Sequence, residues 1–380
     1  MTICLYHRDT ATEVNDFTLE HIIPDPLGGR LAPDWLKLRN VCKQCNNNIG
    51  HFVDASFTHS WFVAQLLHKI SHRINSNTPH ASIPLNPLGL SGHRPSDMEN
   101  DETCEAWLGP HGELVFWIRP TDERFVTYMG GNPRTTRTTQ SRAYFFPNTQ
   151  SENDIEKMLN SFRDALPKKL VKKVIFGQWG NVAPEAYGFS EPDALDRSRL
   201  EFFNSRISVN MTDQITIPIG QEFDWRFLAK LAIGIGYTTY GDHYLSSPYY
   251  QSLKNGLWHW HGVESPRIHG MSFFTPSDIA NDSSNLFTQS TGIRNAVTIL
   301  IKPQGTSLAV LLNIDKERFW VVQASDFVGL DPQIAFSKYG EGLAVILCKE
   351  KSLMCEVGLP DLLAHFLGLK RQHIISQIEA

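Results

Sequence analysis

Long apolar runs are missing from this 380-residue chain. Stretches such as 308–312 and 343–348 stop far short of the roughly 18 to 20 residues that a membrane span needs. The N-terminus, MTICLYHRD, has no charged region leading into an apolar one, so no secretory signal is apparent. A cytoplasmic protein with no membrane partner is therefore expected. An excess of positive charge is also missing: 35 Lys and Arg stand against 40 Asp and Glu, for a net charge of −5. That excludes a surface that coats nucleic acid indiscriminately, and any such contact must come from a local patch. Internal repeats are absent. Cysteine is scarce, with six residues in all, but three of them (Cys4, Cys42, Cys45) fall within the first 45 positions. In a reducing compartment that clustering points to a metal before a disulfide. Cys104, Cys348 and Cys355 are scattered and read as buried small hydrophobes.

What is present is ordinary globular composition, long enough for two or three domains. Residues 18–23 alternate as a strand ended by Pro24, and Gly28-Gly29 supplies a turn. A second short strand is expected over 38–42, a helix from about Cys45, and a longer helix beyond Gly50, where apolar residues recur at helical spacing up to Ile70. The Asn-, Ser- and Pro-rich composition of 75–103 reads as a linker or extended arm. Hairpin strands are expected on either side of GPHG, followed by strands in RFVTYM and RAYFF. Further on come a helix over 152–166, strands over 170–176 and 206–219, and an apolar helix over 224–240. The C-terminal part adds strands over 296–301, 307–312, 318–323 and 343–348 and a helix over 360–378. The expected fold class is α+β. Residues 1–74 form an N-terminal module, 75–103 the arm, and 104–380 a larger mixed domain with a subdivision near 255–290.

The chemistry concentrates in residues 17–54. Cys4, His7, Cys42 and Cys45 make the pattern C-x2-H, a gap, then C-x2-C. Each pair can grip one edge of a tetrahedron, and thiolate with imidazole suits a structural Zn2+. His7 as a mere surface residue is the competing reading. Close by stand the acid–imidazole pair Glu20-His21, Asn40, and an Asn run starting at Asn46.

With its EHIIP, its LGG and its CxxCN, the stretch resembles the HNH endonuclease family in its zinc-knuckle branch. The resemblance covers roughly the first 60 residues. It places the first family position on His21, the middle one on Asn40 and the third on Asn46, where the family often has His. It implies a zinc-stabilised ββα-metal module that hydrolyses phosphodiester bonds. By resemblance, Glu20 and Asn46 are oxygen ligands of a catalytic Mg2+ or other divalent ion, and His21 is the general base. Asn40 holds the hairpin or orients His21. Hard oxygen donors suit Mg2+, and an imidazole is matched to taking a proton near neutral pH. Because strand neighbours point to opposite faces, a backbone distortion at His21 is expected. Asn47 and Asn48 compete with Asn46. Asp54 shares its helix face, as a contributor to the metal site or, by the blander reading, as a surface or helix-stabilising charge.

The expected substrate is DNA, in restriction or anti-phage defence. A catalytically silent zinc-knuckle nucleic-acid-binding protein and an RNA-directed nuclease are the alternatives. Arg124, Arg134, Arg137 and Arg142, with Lys168, Lys169, Lys172 and Lys173, offer a phosphate-binding surface, against the reading of solvated charge. Trp107, Phe116, Trp117 and Tyr128 offer a stacking face, against the reading of a β-domain core. The C-terminal sequence leaves a homo-oligomer, an activating ligand and a targeting role open.

Overall fold

In the computed structural model the structure describes residues 3–7, 16–78, 80–122, 128–132, 136, 138–148, 152–166, 170–177, 183–209, 212–258, 268–271 and 291–380. The fold is mixed α+β and divides into two compact units. One comprises Met1–Thr58 with Gly220–Ala380, the other His59–Ile219. The chain thus leaves its first unit after Thr58 and returns to it at Gly220. These units differ from the boundaries expected at 74 and 103. The anticipated long helix after Gly50 breaks at residues 59–60, between helices Ala55–Thr58 and Trp61–Asn75.

The first unit opens with an antiparallel hairpin of β1 (Phe17–His21) and β2 (Lys37–Cys42). Thr18 faces Val41 but Glu20 faces Leu38. Two residues, Arg39 and Asn40, therefore oppose the single Leu19, which is a β-bulge that bends and twists the hairpin. The irregularity lies before Glu20 rather than at His21. Three short 3-10 turns fill the connection. Gly28 sits at φ +88, and a Cβ on Gly29 would lie 1.7 Å from the Ile23 carbonyl oxygen, so this turn requires glycine. After β2 comes helix Lys43–Ile49, then a π-turn over Gly50–Asp54.

The second unit carries β3 (Asn86–Ser91), β4 (Glu102–Leu108), β5 (Leu114–Pro120), β6 (Ser141–Phe146), β7 (Val171–Ile175) and β8 (Ile215–Thr216). They lie in the order β7-β6-β5-β4-β3-β8. Only β6 and β7 run parallel, and helix Glu152–Ala165 makes the crossover that such a pair needs. Residues alternate between two cores. Val115 and Trp117 pack with Ile155, Leu159 and Phe162 on one face, and Phe116 and Ile118 with Leu200 and Phe203 on the other. Phe116, Trp117 and Tyr128 are thus buried core residues rather than a stacking face. β3 occupies the middle of the expected linker. The expected strand over 206–219 shrinks to the two residues of β8, preceded by helix Ala194–Ser208. Most of RFVTYM lies outside the described residues.

Back in the first unit, β9 (Gly270–Met271), β10 (Val297–Gln304), β11 (Ser307–Ile314), β12 (Arg318–Ser325), β13 (Leu343–Cys348) and β14 (Leu353–Gly358) form an antiparallel sheet. Its order is β14-β13-β10-β11-β12-β9. The expected terminal helix is two, Leu359–Phe366 and His373–Glu379. Helix Gln221–Tyr240, buried along most of its length, packs on β12 and also against the N-terminal hairpin. At Gly234 a Cβ would stand 2.7 Å from Ile22 Cγ1, so glycine lets the hairpin seat on the helix backbone. Phe57 stacks on Phe227 at 4.0 Å and meets Trp320 edge-on at 5.2 Å. Such aromatic pairs contribute about 0.5–1.5 kcal/mol each beyond their burial. Among the described residues no helix is long and apolar enough to cross a membrane.

Candidate functional site

Cys4, His7, Cys42 and Cys45 come together as the spacing predicts, with one ligand atom from each lying within 4.8 Å of the others. Cys42 caps helix Lys43–Ile49, its Sγ accepting the Cys45 N–H at 3.4 Å, and Cys4 Sγ accepts the Cys42 N–H at 3.2 Å. His7 Nδ1 stands 3.5 Å from Cys45 Sγ and 3.8 Å from Cys42 Sγ. A hydrogen bond from Cys45 draws the Cys4 thiol down to about 5, against the opposing effect of burial. That same bond, followed by burial, pushes Cys45 up. Three sulfurs and an imidazole at this separation fit zinc, whose thiolate ligands sit roughly 3.8 Å apart in a tetrahedron.

The surrounding protein holds this cluster in place. The Leu5 N–H donates to the Asn40 carbonyl at 3.0 Å. Tyr250 Oη donates to the Leu5 carbonyl at 2.7 Å, Trp258 Nε1 to the Tyr6 carbonyl at 2.8 Å, and Tyr6 Oη to the Lys230 carbonyl at 3.3 Å. Asn40 therefore contributes its backbone to the hairpin, while its side-chain Oδ1 is buried without a partner among the described residues.

His21 lies at the end of β1 and is partly buried. Its Nδ1 is 3.2 Å from Asp25 Oδ1, and Arg30 Nε donates to Asp25 Oδ2 at 2.7 Å. The carboxylate selects the tautomer protonated on Nδ1, leaving Nε2 with its lone pair and no partner among the described residues. Asp25 was missed by sequence reasoning. Its i+4 spacing from His21 was a signal, because Pro24 and the 3-10 turn Asp25–Leu27 fold the chain back over the imidazole.

Glu20 is buried, and its Oε1 lies 2.8 Å from Lys230 Nζ. Lys230 Nζ also donates to both Asp54 oxygens at 2.8 Å and to the His21 carbonyl at 2.9 Å. Burial alone would lower the Lys230 ammonium, but Asp54 and Glu20 outweigh it and hold it above the usual lysine range. Burial pushes Asp54 up to about 7 against the pull of Lys230. Asp54 is therefore neither a surface charge nor a simple helix-face companion of Asn46. The π-turn inserts a residue between them and changes its direction. Lys230 lies too far along the chain for any local pattern to connect it with the hairpin.

Asn46 donates from Nδ2 to Thr18 Oγ1 and to the Leu19 carbonyl, both at 2.9 Å. This pins the helix start to the residue before Glu20, which distinguishes Asn46 from the exposed Asn47 and half-buried Asn48. Its Oδ1, like Glu20 Oε2, has no hydrogen-bond partner among the described residues. Two hard oxygen atoms are thus available, the donor type that suits a divalent ion.

The basic surface expected in the second unit meets a different fate. Arg142 pairs with Asp193 at 2.8 Å and Asp196 at 2.6 Å, Lys172 pairs with the same two carboxylates, and buried Lys173 donates to the Arg163 carbonyl at 2.7 Å. Arg142 and Lys172 are neutralised within the fold rather than held ready for phosphate. Arg124, Arg134, Arg137, Lys168 and Lys169 lie outside the described residues.

A hairpin, a helix started by a Cys/His cluster, and an acid–imidazole pair on the first strand define a ββα-type module joined to a larger α+β region. Residues 4–62 match the family model of the HNH endonuclease. The segment is an HNH domain, which supports a nuclease-type enzyme with a nucleic-acid substrate. No curated protein and no solved structure matches the chain.

Proposed function

We propose that the protein is a metal-dependent HNH endonuclease that hydrolyses phosphodiester bonds in DNA, with a role in restriction or anti-phage defence. The observation that carries the reading is the state of His21, oriented through Nδ1 by Asp25 and open at Nε2, on a hairpin that matches the HNH endonuclease. His21 Nε2 takes the proton of a water whose oxygen forms the new P–O bond, and the P–O bond to the leaving sugar oxygen breaks as that oxygen gains a proton from solvent. Glu20 Oε2 and Asn46 Oδ1 would hold the divalent ion, Mg2+ on donor type, which supplies charge neutralisation at the phosphate and leaving oxygen. Asp25 keeps the imidazole in its tautomer, and Asn46 ties the helix to β1. Zn2+ at Cys4, His7, Cys42 and Cys45 would organise the module without taking part in cleavage.

One observation favours a second reading, a catalytically silent nucleic-acid-binding module: Glu20 is already engaged by Lys230. Nicking of supercoiled plasmid in Mg2+ separates the two. Wild type should nick, and His21→Ala should lose about a hundredfold or more in rate. Equal cleavage by both proteins removes His21 from the role of base. Retention of plasmid without cleavage in Mg2+, Mn2+ or Ni2+ selects the silent module. An RNA of matched length in the same assay tests the choice of polymer.

A further inference from the structure

A single cation interrupts an apolar run in helix Gln221–Tyr240. Around it Phe227, Leu228, Ala229, Leu231, Ala232 and Ile233 are buried hydrophobics, yet position 230 is a fully buried lysine. Packing alone would favour Leu or Met there, since burying an ammonium costs several kcal/mol unless it is well paired. Lys230 is well paired, and all of its partners belong to the N-terminal module. Nζ contacts the Glu20 carboxylate, both oxygens of Asp54 and the backbone carbonyl of His21, each at 2.8–2.9 Å. Its own carbonyl accepts from Tyr6, which lies between Cys4 and His7.

We propose that Lys230 is a positioning residue for the HNH centre, acting through Glu20 and the His21 backbone from a helix about 170 residues beyond the family-matching segment. This inference rests on the nuclease reading above. By holding Glu20 through Oε1, Lys230 leaves Oε2 as the oxygen that can meet a cation. By holding the His21 carbonyl, it fixes the end of β1, where the imidazole projects toward Asp25. Asp54 completes the set: both of its oxygens hold the ammonium, so Nζ is fixed between Glu20 and Asp54. Suitable outer partners of metal ligands typically change metal affinity or activity by about tenfold to a hundredfold.

The test uses the full-length protein and the paired variant Lys230→Met/Asp54→Leu, which removes the buried pair without changing net charge. Lys230→Gln, which keeps one side-chain donor, is measured beside it. Zinc content and a cooperative melt report the fold, and Mn2+ titration followed by electron paramagnetic resonance reports the Glu20 centre, with Glu20→Gln as reference. The expected result is full zinc content, Mn2+ affinity weakened about tenfold to a hundredfold in the paired variant and less in Lys230→Gln, and a matching fall in kcat with KM for DNA within about twofold. A folded paired variant that binds Mn2+ and cleaves as wild type does would overturn the proposal. So would loss of zinc and of cooperative melting in both variants, because Lys230 would then hold the fold rather than the site. Wild-type Mn2+ binding that is indifferent to Glu20→Gln also overturns it. A wild type that binds Mn2+ through Glu20 but cuts neither polymer ends the nuclease reading, and the Mn2+ titration then decides the role of Lys230 by itself.

Discussion

His21 shows how much one side chain depends on its neighbours. A neutral histidine side chain in water samples both tautomers and favours the proton on Nε2, whereas one whose Nδ1–H is held by Asp25 presents Nε2 in the form that accepts a proton. A second histidine illustrates the opposite environment. His59 has its Nδ1 buried without a partner among the described residues, beside Tyr128, and burial drives its titration down to about 4. The folded state therefore holds this ring neutral while the unfolded chain protonates it near the ordinary value of about 6.5. Its contribution to stability is complete above that value and is lost as pH falls toward 4. Glu113, pushed up to about 7 by burial, has the opposite slope, weakening the fold as pH rises past the ordinary carboxylate range. Comparison of wild type with His59→Phe isolates the histidine. The variant should gain about 1–2 kcal/mol relative to wild type between pH 7 and pH 4.5, after allowance for the part of the residue that meets solvent. Urea midpoints that shift equally in the two proteins across this range would refute the assignment.

Among the elements, the bulge in the hairpin and the π-turn after Ile49 decide where functional groups end up, and neither has a sequence period. The bulge places Arg39 and Asn40 against Leu19, so Glu20 turns inward while Leu19 is left exposed. The π-turn redirects Asp54 inward to Lys230. The turn at Gly28-Gly29 was readable because glycine has so few alternatives in such a place. Its function is packing, since the space a Cβ of Gly29 would need is filled by the Ile23 carbonyl. Gly29→Ala should therefore destabilise the first unit by more than about 2 kcal/mol, measured by urea unfolding, with loss of the proposed nicking as a consequence. An alanine variant of unchanged stability would show that the hairpin connection has room for a Cβ at this position.

For the whole molecule, the HNH domain is not a bead on a string. Leu5, Tyr6, Ile22 and Phe57 are fully buried, and residues of helices Gln221–Tyr240 and Pro248–Leu257 bond to or pack on them. A fragment of residues 1–74 loses that cover and leaves those apolar side chains in water, at a cost of about 1.5–3 kcal/mol for each large one. The fragment with one equivalent of Zn2+ should show collapsed amide dispersion in its NMR spectrum. A well-dispersed spectrum with stoichiometric zinc would mean that the C-terminal cover is dispensable.

From its residues alone this protein determined the Cys/His cluster, the hairpin and helix that carry Glu20, His21 and Asn46, and most C-terminal strands, because those depend on local spacing and alternation. Cys4 and His7 were readable as partners of Cys42 and Cys45 for the same reason: two short C-x2 pairs make half a tetrahedron each. Tertiary structure alone decided that Lys230 holds Glu20 and Asp54, that Arg142 pairs with Asp193 and Asp196, and that residues 59–219 form a separate unit interrupting the first. Each of these depends on which charges and surfaces meet after the chain has folded back over tens to hundreds of residues. A buried ammonium is tolerable only where such distant carboxylates and a carbonyl close around it.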